Sequence, residues 1–355
     1  MKKIRALSVG AVLWDVINEK EYIGGAPFNV AVNLKRLGAE SAFVTCVGRD
    51  ARGDRALEKI REYGVHSFAQ RDERFATGVA EAVLDETGSA TYRIPRAAFD
   101  EIQIGKEDLA ALNAYAPDLV CFGSFEQRFP RSRASVQSIL QNVKADCVFF
   151  DVNIRMDFAE KEVIGFSLQA CDVLKLNEDE CALLGKLLYG KDLCVRSFCR
   201  RVAKDHDIKT VLVTLGAKGC FVYTRGGERH IESAPSSGGD TIGAGDAFSA
   251  AFLYAYLSGK DAFTAAHCGN VLGAFVAANT GALPAFSRTV THTLHSIIDG
   301  EETSWRKEFS ASEKNICFFP SAATRSRSTY CYRVTENLCT ISICGFAIGP
   351  ILSHG

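Results

Sequence analysis

The chain has 355 residues, 47% of them hydrophobic and 23% charged, which suits one large or two smaller globular domains with a sizeable core. Lys and Arg total 41 against 42 Asp and Glu, a formal net charge of -1. That balance offers no basic face for nucleic acid and no acidic arm, and no apolar run reaches the about 20 residues of a membrane span, so a small-molecule partner is expected.

Met1-Lys2-Lys3-Ile4-Arg5 imitates the start of a leader, but the apolar run behind it is short and Asp15 breaks it. Residues 4–14 read instead as one buried strand with Asp15 just after it. Residues 27–37 read as a helix that begins at Pro27, a favoured first-turn residue, and stops at Gly38. A strand over 41–47 and a charged helix over 54–63 follow. Residues 77–84 and 89–94 are β-rich runs joined by Asp85-Glu86-Thr87-Gly88, a hairpin that could be a flap over a site or a plain surface feature. Strands are expected again at 118–123, 147–152, 172–176 and 210–215, with helical patterns between them. The alternation predicts an α/β fold whose mostly parallel sheet is covered on both faces.

From about residue 303 the alternation stops. Six basic residues there face three acidic ones, and Cys317, Cys331, Cys339 and Cys344 lie close together. The stretch reads as an atypical, poorly packed extension, 303–355, without apolar periodicity, with disorder as one reading. Of the 13 cysteines, the earlier nine are scattered singly and form no CxxC pair, which fits a reducing cytoplasm rather than a zinc site or a disulfide framework. The seven histidines show no metal spacing.

The strongest chemical signal is Asp240-Thr241-Ile242-Gly243-Ala244-Gly245-Asp246, running straight into the helical pattern Ala247-Phe248-Ser249-Ala250-Ala251-Phe252. N–H groups in the first turn of a helix lack intrahelical partners and carry partial positive charge. Gly243, Ala244 and Gly245 let an anion approach them, so the segment can hold a phosphoryl group, and Asp246 can take a proton from an attacking hydroxyl. Taken alone, a capped helix after a tight turn explains it equally well. The second signal is Gly24-Gly25-Ala26-Pro27-Phe28-Asn29. Its glycines allow backbone close to a polar ligand, Asn29 offers a donor and an acceptor, and Asp15 adds an acid at a strand end, all suited to sugar hydroxyls. Taken alone, a turn feeding a helix is the simpler reading.

In order and approximate spacing the two segments together resemble the two signatures of the ribokinase-like (PfkB) carbohydrate kinase family, over residues 1 to about 302. The resemblance implies a three-layer ribokinase-like sandwich, with a small β lid from roughly 12–24 and 75–96. It implies ATP and Mg2+ as cofactors and transfer of the ATP γ-phosphoryl group to a hydroxyl of a small sugar. Asp151-Val152-Asn153-Ile154-Arg155 is similar to a family segment whose arginine, here Arg155, reaches toward phosphate or sugar. Asn177 and Glu180 resemble the element that organises magnesium, Glu180 acting through water. Thr214, Gly216 and Gly219 resemble the nucleotide loop, and Asn270 the helix lining the adenine pocket. The resemblance further implies a monovalent cation near Asp240, a homodimer through the lid and a cytoplasmic location. No GxxxxGK[ST] loop and no protein-kinase motif set is present. Fructokinases are the most similar group; 2-keto-3-deoxygluconate kinases and ribokinases are alternatives, as is a catalytically silent sugar sensor on the same fold.

Overall fold

The computed structural model describes residues 3–17, 20–84, 90–156, 158–233, 239 and 241–300. The chain divides into a unit Met1–Thr303 and a unit Ser304–Gly355. The second unit, the turn 85–88 and Asp240 lie outside the described residues, and with them the expectations for the extension and the monovalent cation.

The strands are β1 (Arg5–Val9), β2 (Leu13–Ile17), β3 (Lys20–Gly24), β4 (Glu40–Gly48), β5 (His66–Asp72), β6 (Gly78–Leu84), β7 (Ala90–Arg93), β8 (Leu119–Gly123), β9 (Cys147–Asp151), β10 (Val173–Asn177), β11 (Thr210–Thr214), β12 (Cys220–Thr224) and β13 (Gly227–Ile231). The helices are α1 (Ala26–Arg36), α2 (Ala51–Glu62), α3 (Lys106–Tyr115), α4 (Pro130–Asn142), α5 (Lys161–Ala170), α6 (Glu178–Tyr189), α7 (Val195–His206), α8 (Ala244–Leu257), α9 (Ala262–Ala277) and α10 (Arg288–Asp299).

Nine strands form one sheet in the order β13-β12-β11-β10-β9-β8-β1-β4-β5. Its members from β11 to β5 run parallel, and β12 and β13 close one side antiparallel. The central strands are buried along their length, as a sheet covered on both faces requires. One apolar cluster joins the sheet to α3–α7, with Leu112, Ile139, Leu168, Leu184 and Phe198. Another joins it to α1 and α2. There Phe28 is fully buried, 5.7 Å from the ring of Phe43, a burial worth about 1.5–3 kcal/mol. The expected three-layer ribokinase-like architecture is therefore present.

The lid is a second sheet, β3-β2-β6-β7. The hairpin expected near 77–94 forms, with Glu81 opposite Arg93 and Leu84 opposite Ala90. The first strand needs correction. The run 4–14 is not one strand: Gly10, at φ 144°, takes the chain out of the large sheet after β1 and sends it into the lid as β2. A Cβ at Gly10 would stand 2.2 Å from Cγ of Glu126, so only glycine fits. Asp15 consequently lies inside lid strand β2, opposite Tyr22 and beside Ala80, not behind a core strand. The α2 helix begins earlier than its charge pattern suggests. Asp50 caps it, with Oδ1 accepting from the Gly53 N–H at 2.7 Å, and the same carboxylate accepts from the N–H and hydroxyl of Thr77 at the lid's root.

Candidate active site

The carboxyl ends of β9, β10 and β11 present Asp151, Asn177 and Thr214 along one edge of the sheet. In open α/β sheets ligands bind outside this edge. Gly25 caps α1 at φ 114°, and a Cβ there would lie 2.4 Å from the Ala11 carbonyl oxygen. Gly243 caps α8 at φ 77°, where a Cβ would lie 2.6 Å from Ala282. These two glycines are set by the protein's own backbone. They bring the first turns of α1 and α8 together, and Asn29 Nδ2 donates to Asp246 Oδ2 at 2.8 Å.

The parts of the glycine-rich segment differ in use. The Ala244 N–H donates back to the Thr241 carbonyl at 3.2 Å, so Ala244 closes the turn. Gly245 lies in the first turn of α8 with its bare side toward Lys175: a Cβ there would stand 3.3 Å from Nζ. Gly24, at the end of β3, leaves room for Asp15; a Cβ at Gly24 would lie 2.5 Å from Asp15 Oδ2.

Carboxylates dominate the site. Burial raises Asp246 to about 6, with Asp151 adding to the rise and Asn29, Lys175 and Arg155 opposing it. Burial also raises Asp15 to about 6; the charge of Asp246 raises it further and that of Arg155 lowers it. Asp15 from the lid and Asp246 from α8 thus share one field, with Arg155 as counter-charge. Arg155 itself is exposed, and it donates to the Ile154 carbonyl at 3.3 Å. Asp151 accepts from Lys175 Nζ through both oxygens, at 3.0 and 2.9 Å.

Glu180 is buried, and both its oxygens accept backbone N–H groups: Oε1 from Ile154 at 2.9 Å and Oε2 from Asn177 at 2.8 Å. The Asn177 side chain returns the bond by accepting from the Glu180 N–H at 2.8 Å, completing a capping box at the start of α6. Glu180 therefore braces the loop that carries Arg155. A carboxylate so engaged suits a magnesium ion's water shell rather than its first coordination sphere. No group of three or more potential metal ligands occurs among the described residues.

On the nucleotide side the expected residues also separate. Gly216, at φ 59°, faces open space. Gly219 does not: its Cβ position lies 2.0 Å from the Ile231 carbonyl oxygen, so β13 requires this glycine. Asn270 donates to the carbonyls of Ile231 and Glu232 at 3.0 and 2.9 Å. Gly219 and Asn270 thus both hold the segment that follows β13. Thr214 Oγ1 reaches the Leu176 carbonyl at 3.5 Å.

Residue-type reasoning passed over Lys175 and Asp151 as site groups. The available signal was a lysine within Val173-Leu174-Lys175-Leu176, an otherwise apolar strand, where a charge is costly unless paired. It also passed over Glu126, fully buried beside Gly10 and Gly123 and pushed up to about 7 by that burial. Nothing in its local sequence marks Glu126, because Gly10, Asp100 and Asp151 reach its surroundings only through the fold.

A carboxylate over a glycine-bordered helix N-terminus, at the carboxyl edge of a ribokinase-like sheet, is the arrangement of a sugar kinase. Comparison with known proteins agrees: residues 7–288 match the model of the pfkB family carbohydrate kinases. The chain belongs to that family and is a carbohydrate kinase. It is 30% identical to a fructokinase of Escherichia coli over 237 residues, 65% of this chain and 75% of the relative. It is also 30% identical to an uncharacterized sugar kinase of Archaeoglobus fulgidus over 264 residues, 73% of this chain and all of the relative. Among solved structures, the fructokinase of Vibrio cholerae O395 in its fructose, ADP and calcium ion bound form superposes with a TM-score of 0.69 at 25% identity, covering 82% of this chain and 98% of that one.

Proposed function

We propose that this kinase phosphorylates a hydroxyl of fructose with ATP, and that Asp246 is the base. The observation that carries the reading is Asp246 itself, held by Asn29 at 2.8 Å in the first turn of α8. A carboxylate raised to about 6 is ionised at neutral pH and more basic than an ordinary aspartate. Asp246 takes the sugar proton as the oxygen attacks, and the N–H groups of Gly243 and Gly245 receive the phosphoryl charge, with Ala244 closing the turn that presents them. Asp15, Gly24 and Gly25 border the sugar, and Asn29 does so through the amide that orients the base. Arg155 supplies positive charge on the phosphate side. Thr214, Gly216, Gly219 and Asn270 shape the nucleotide side. Magnesium supplies charge neutralisation for the nucleotide phosphates, and Asn177 and Glu180 fit its outer shell. We assign the activity to residues 1–302, at work in a reducing cytoplasm. Support for the compartment comes from the described cysteines, all free; burial pushes Cys46 and Cys220 up to about 12, so these thiols behave as core hydrophobes. Among the described residues no helix is long and apolar enough to cross a membrane. Pairing of two copies through the lid belongs to the same reading, and the mass in solution decides it.

The sugar is tested with a coupled ADP assay over fructose, 2-keto-3-deoxygluconate, ribose and other small sugars, on the full chain and on one ending at Glu302. Fructose should give the highest kcat/KM in both. A higher value for another sugar would reassign the substrate. No turnover with any sugar would favour a sensor, and loss of activity only in the shorter chain would show that the extension contributes.

The pH dependence is fixed in sign. Asp246 must be ionised to act, so kcat/KM should be constant above its pKa and fall tenfold per unit below about 6. A fructose titration between pH 4.5 and 8 measures it, and a flat profile through pH 5 would exclude a base with this pKa.

A further inference from the structure

Lys175 is the lysine that the described core contains. It is 7% exposed, between Leu174 and Leu176, which are fully buried. Burial alone pulls its pKa down, but Asp151, Glu180 and Asp246 outweigh burial and hold it above the usual lysine value. A buried ion pair of this kind contributes little net stability, because a well-packed apolar pair would serve the core as well. Its position is more telling. Asp151 takes Nζ through both oxygens on one side. On another side Nζ stands 3.3 Å from where a Cβ of Gly245 would be, beside the first turn of α8. An ammonium has three donors, and two bonds to Asp151 leave one for an occupant of that space.

We propose that Lys175 is a catalytic residue: held by Asp151, its ammonium contacts an oxygen of the phosphoryl group in transfer, as a fixed cation beside the N–H groups of α8. This rests on the anion-hole reading given above. The bond from the sugar oxygen to phosphorus forms as the bond from phosphorus to the ADP oxygen breaks. Asp246 takes the sugar proton, and Lys175 keeps all three of its own. A glycine at 245 is then required twice, for the approach of the anion and for the approach of the lysine.

The test is a double-mutant cycle, with binding measured beside turnover. Lys175→Met should lower kcat about 100- to 1000-fold, the usual loss for one donor of this kind, with little change in the sugar KM. By calorimetry it should bind the imido analogue of ATP about tenfold more weakly while holding ADP as well as wild type, because ADP lacks the group that Lys175 meets. Lys175→Met leaves Asp151 buried without a partner and can fail to fold, so Lys175→Met/Asp151→Asn, which removes both charges, carries the decision. If the double variant regains the turnover of Asp151→Asn, or if the preference for analogue over ADP matches wild type, Lys175 merely balances Asp151 and the proposal is wrong. Wild-type turnover surviving in Gly245→Val would instead remove the anion hole beneath it.

Discussion

Asp246→Asn should lower kcat by about 10²–10⁴-fold while leaving sugar binding in place. The substitution preserves size and the contact with Asn29, 2.8 Å away, and removes the negative charge and with it the capacity to accept a proton. The same change should stabilise the fold at neutral pH. The folded state raises Asp246 from 3.8 to about 6, mainly through burial, so it favours the protonated carboxyl. The stability that protonation contributes is fully present below pH about 4 and is lost as pH rises through about 6. Asparagine carries no charge at any of these values. Its melting temperature should therefore exceed the wild type's by a few degrees at pH 7.5, equivalent to about 1–3 kcal/mol, and the gain should vanish near pH 4. Calorimetric melting at both pH values, with steady-state kinetics, measures both effects. Near-normal turnover would remove Asp246 from the chemistry, and a lower melting temperature at pH 7.5 would show that its charge supports the fold.

Gly245→Val should abolish detectable turnover while lowering stability less than Gly243→Ala does. Gly245 is an ordinary helical position, and the group nearest its bare side is the tip of a lysine side chain, at 3.3 Å. The helix can accept the new side chain, but an anion would lose its approach to the first turn of α8. Gly243→Ala is the contrast. Its φ of 77° and the 2.6 Å distance to Ala282 make any side chain strained, so activity and melting temperature should fall together. Thermal melting and a kinase assay on both variants separate them. If Gly245→Val remains active, phosphate is held elsewhere; if Gly243→Ala melts like wild type, the turn is less constrained than its packing indicates.

Most of the fold was legible in the sequence because its signals are local. An apolar strand such as 41–47 and a proline-started helix ending at Gly38 declare themselves within a few residues. The two edge strands β5 and β13 did not announce themselves this way: β5, parallel to β4, and β13, antiparallel to β12, are mostly exposed or half-buried, so neither has a continuous apolar run. The run 4–14 misled for the opposite reason. It is apolar on both sides of Gly10, and hydropathy cannot show that β1 enters a core sheet and β2 a lid.

The site divides along the same line. Sequence by itself determined the family and the glycine-bordered segment bearing Asp246, because the chemistry of a helix N-terminus needs neighbours in the chain. Only the tertiary structure decided which side chains meet. It set Asn29 on Asp246 across 217 positions and Lys175 on Asp151 across 24. It also brought Gly219 and Asn270 together on the segment after β13. Those contacts are products of strand order and helix packing, and no local pattern encodes a distance between segments that the fold alone makes adjacent.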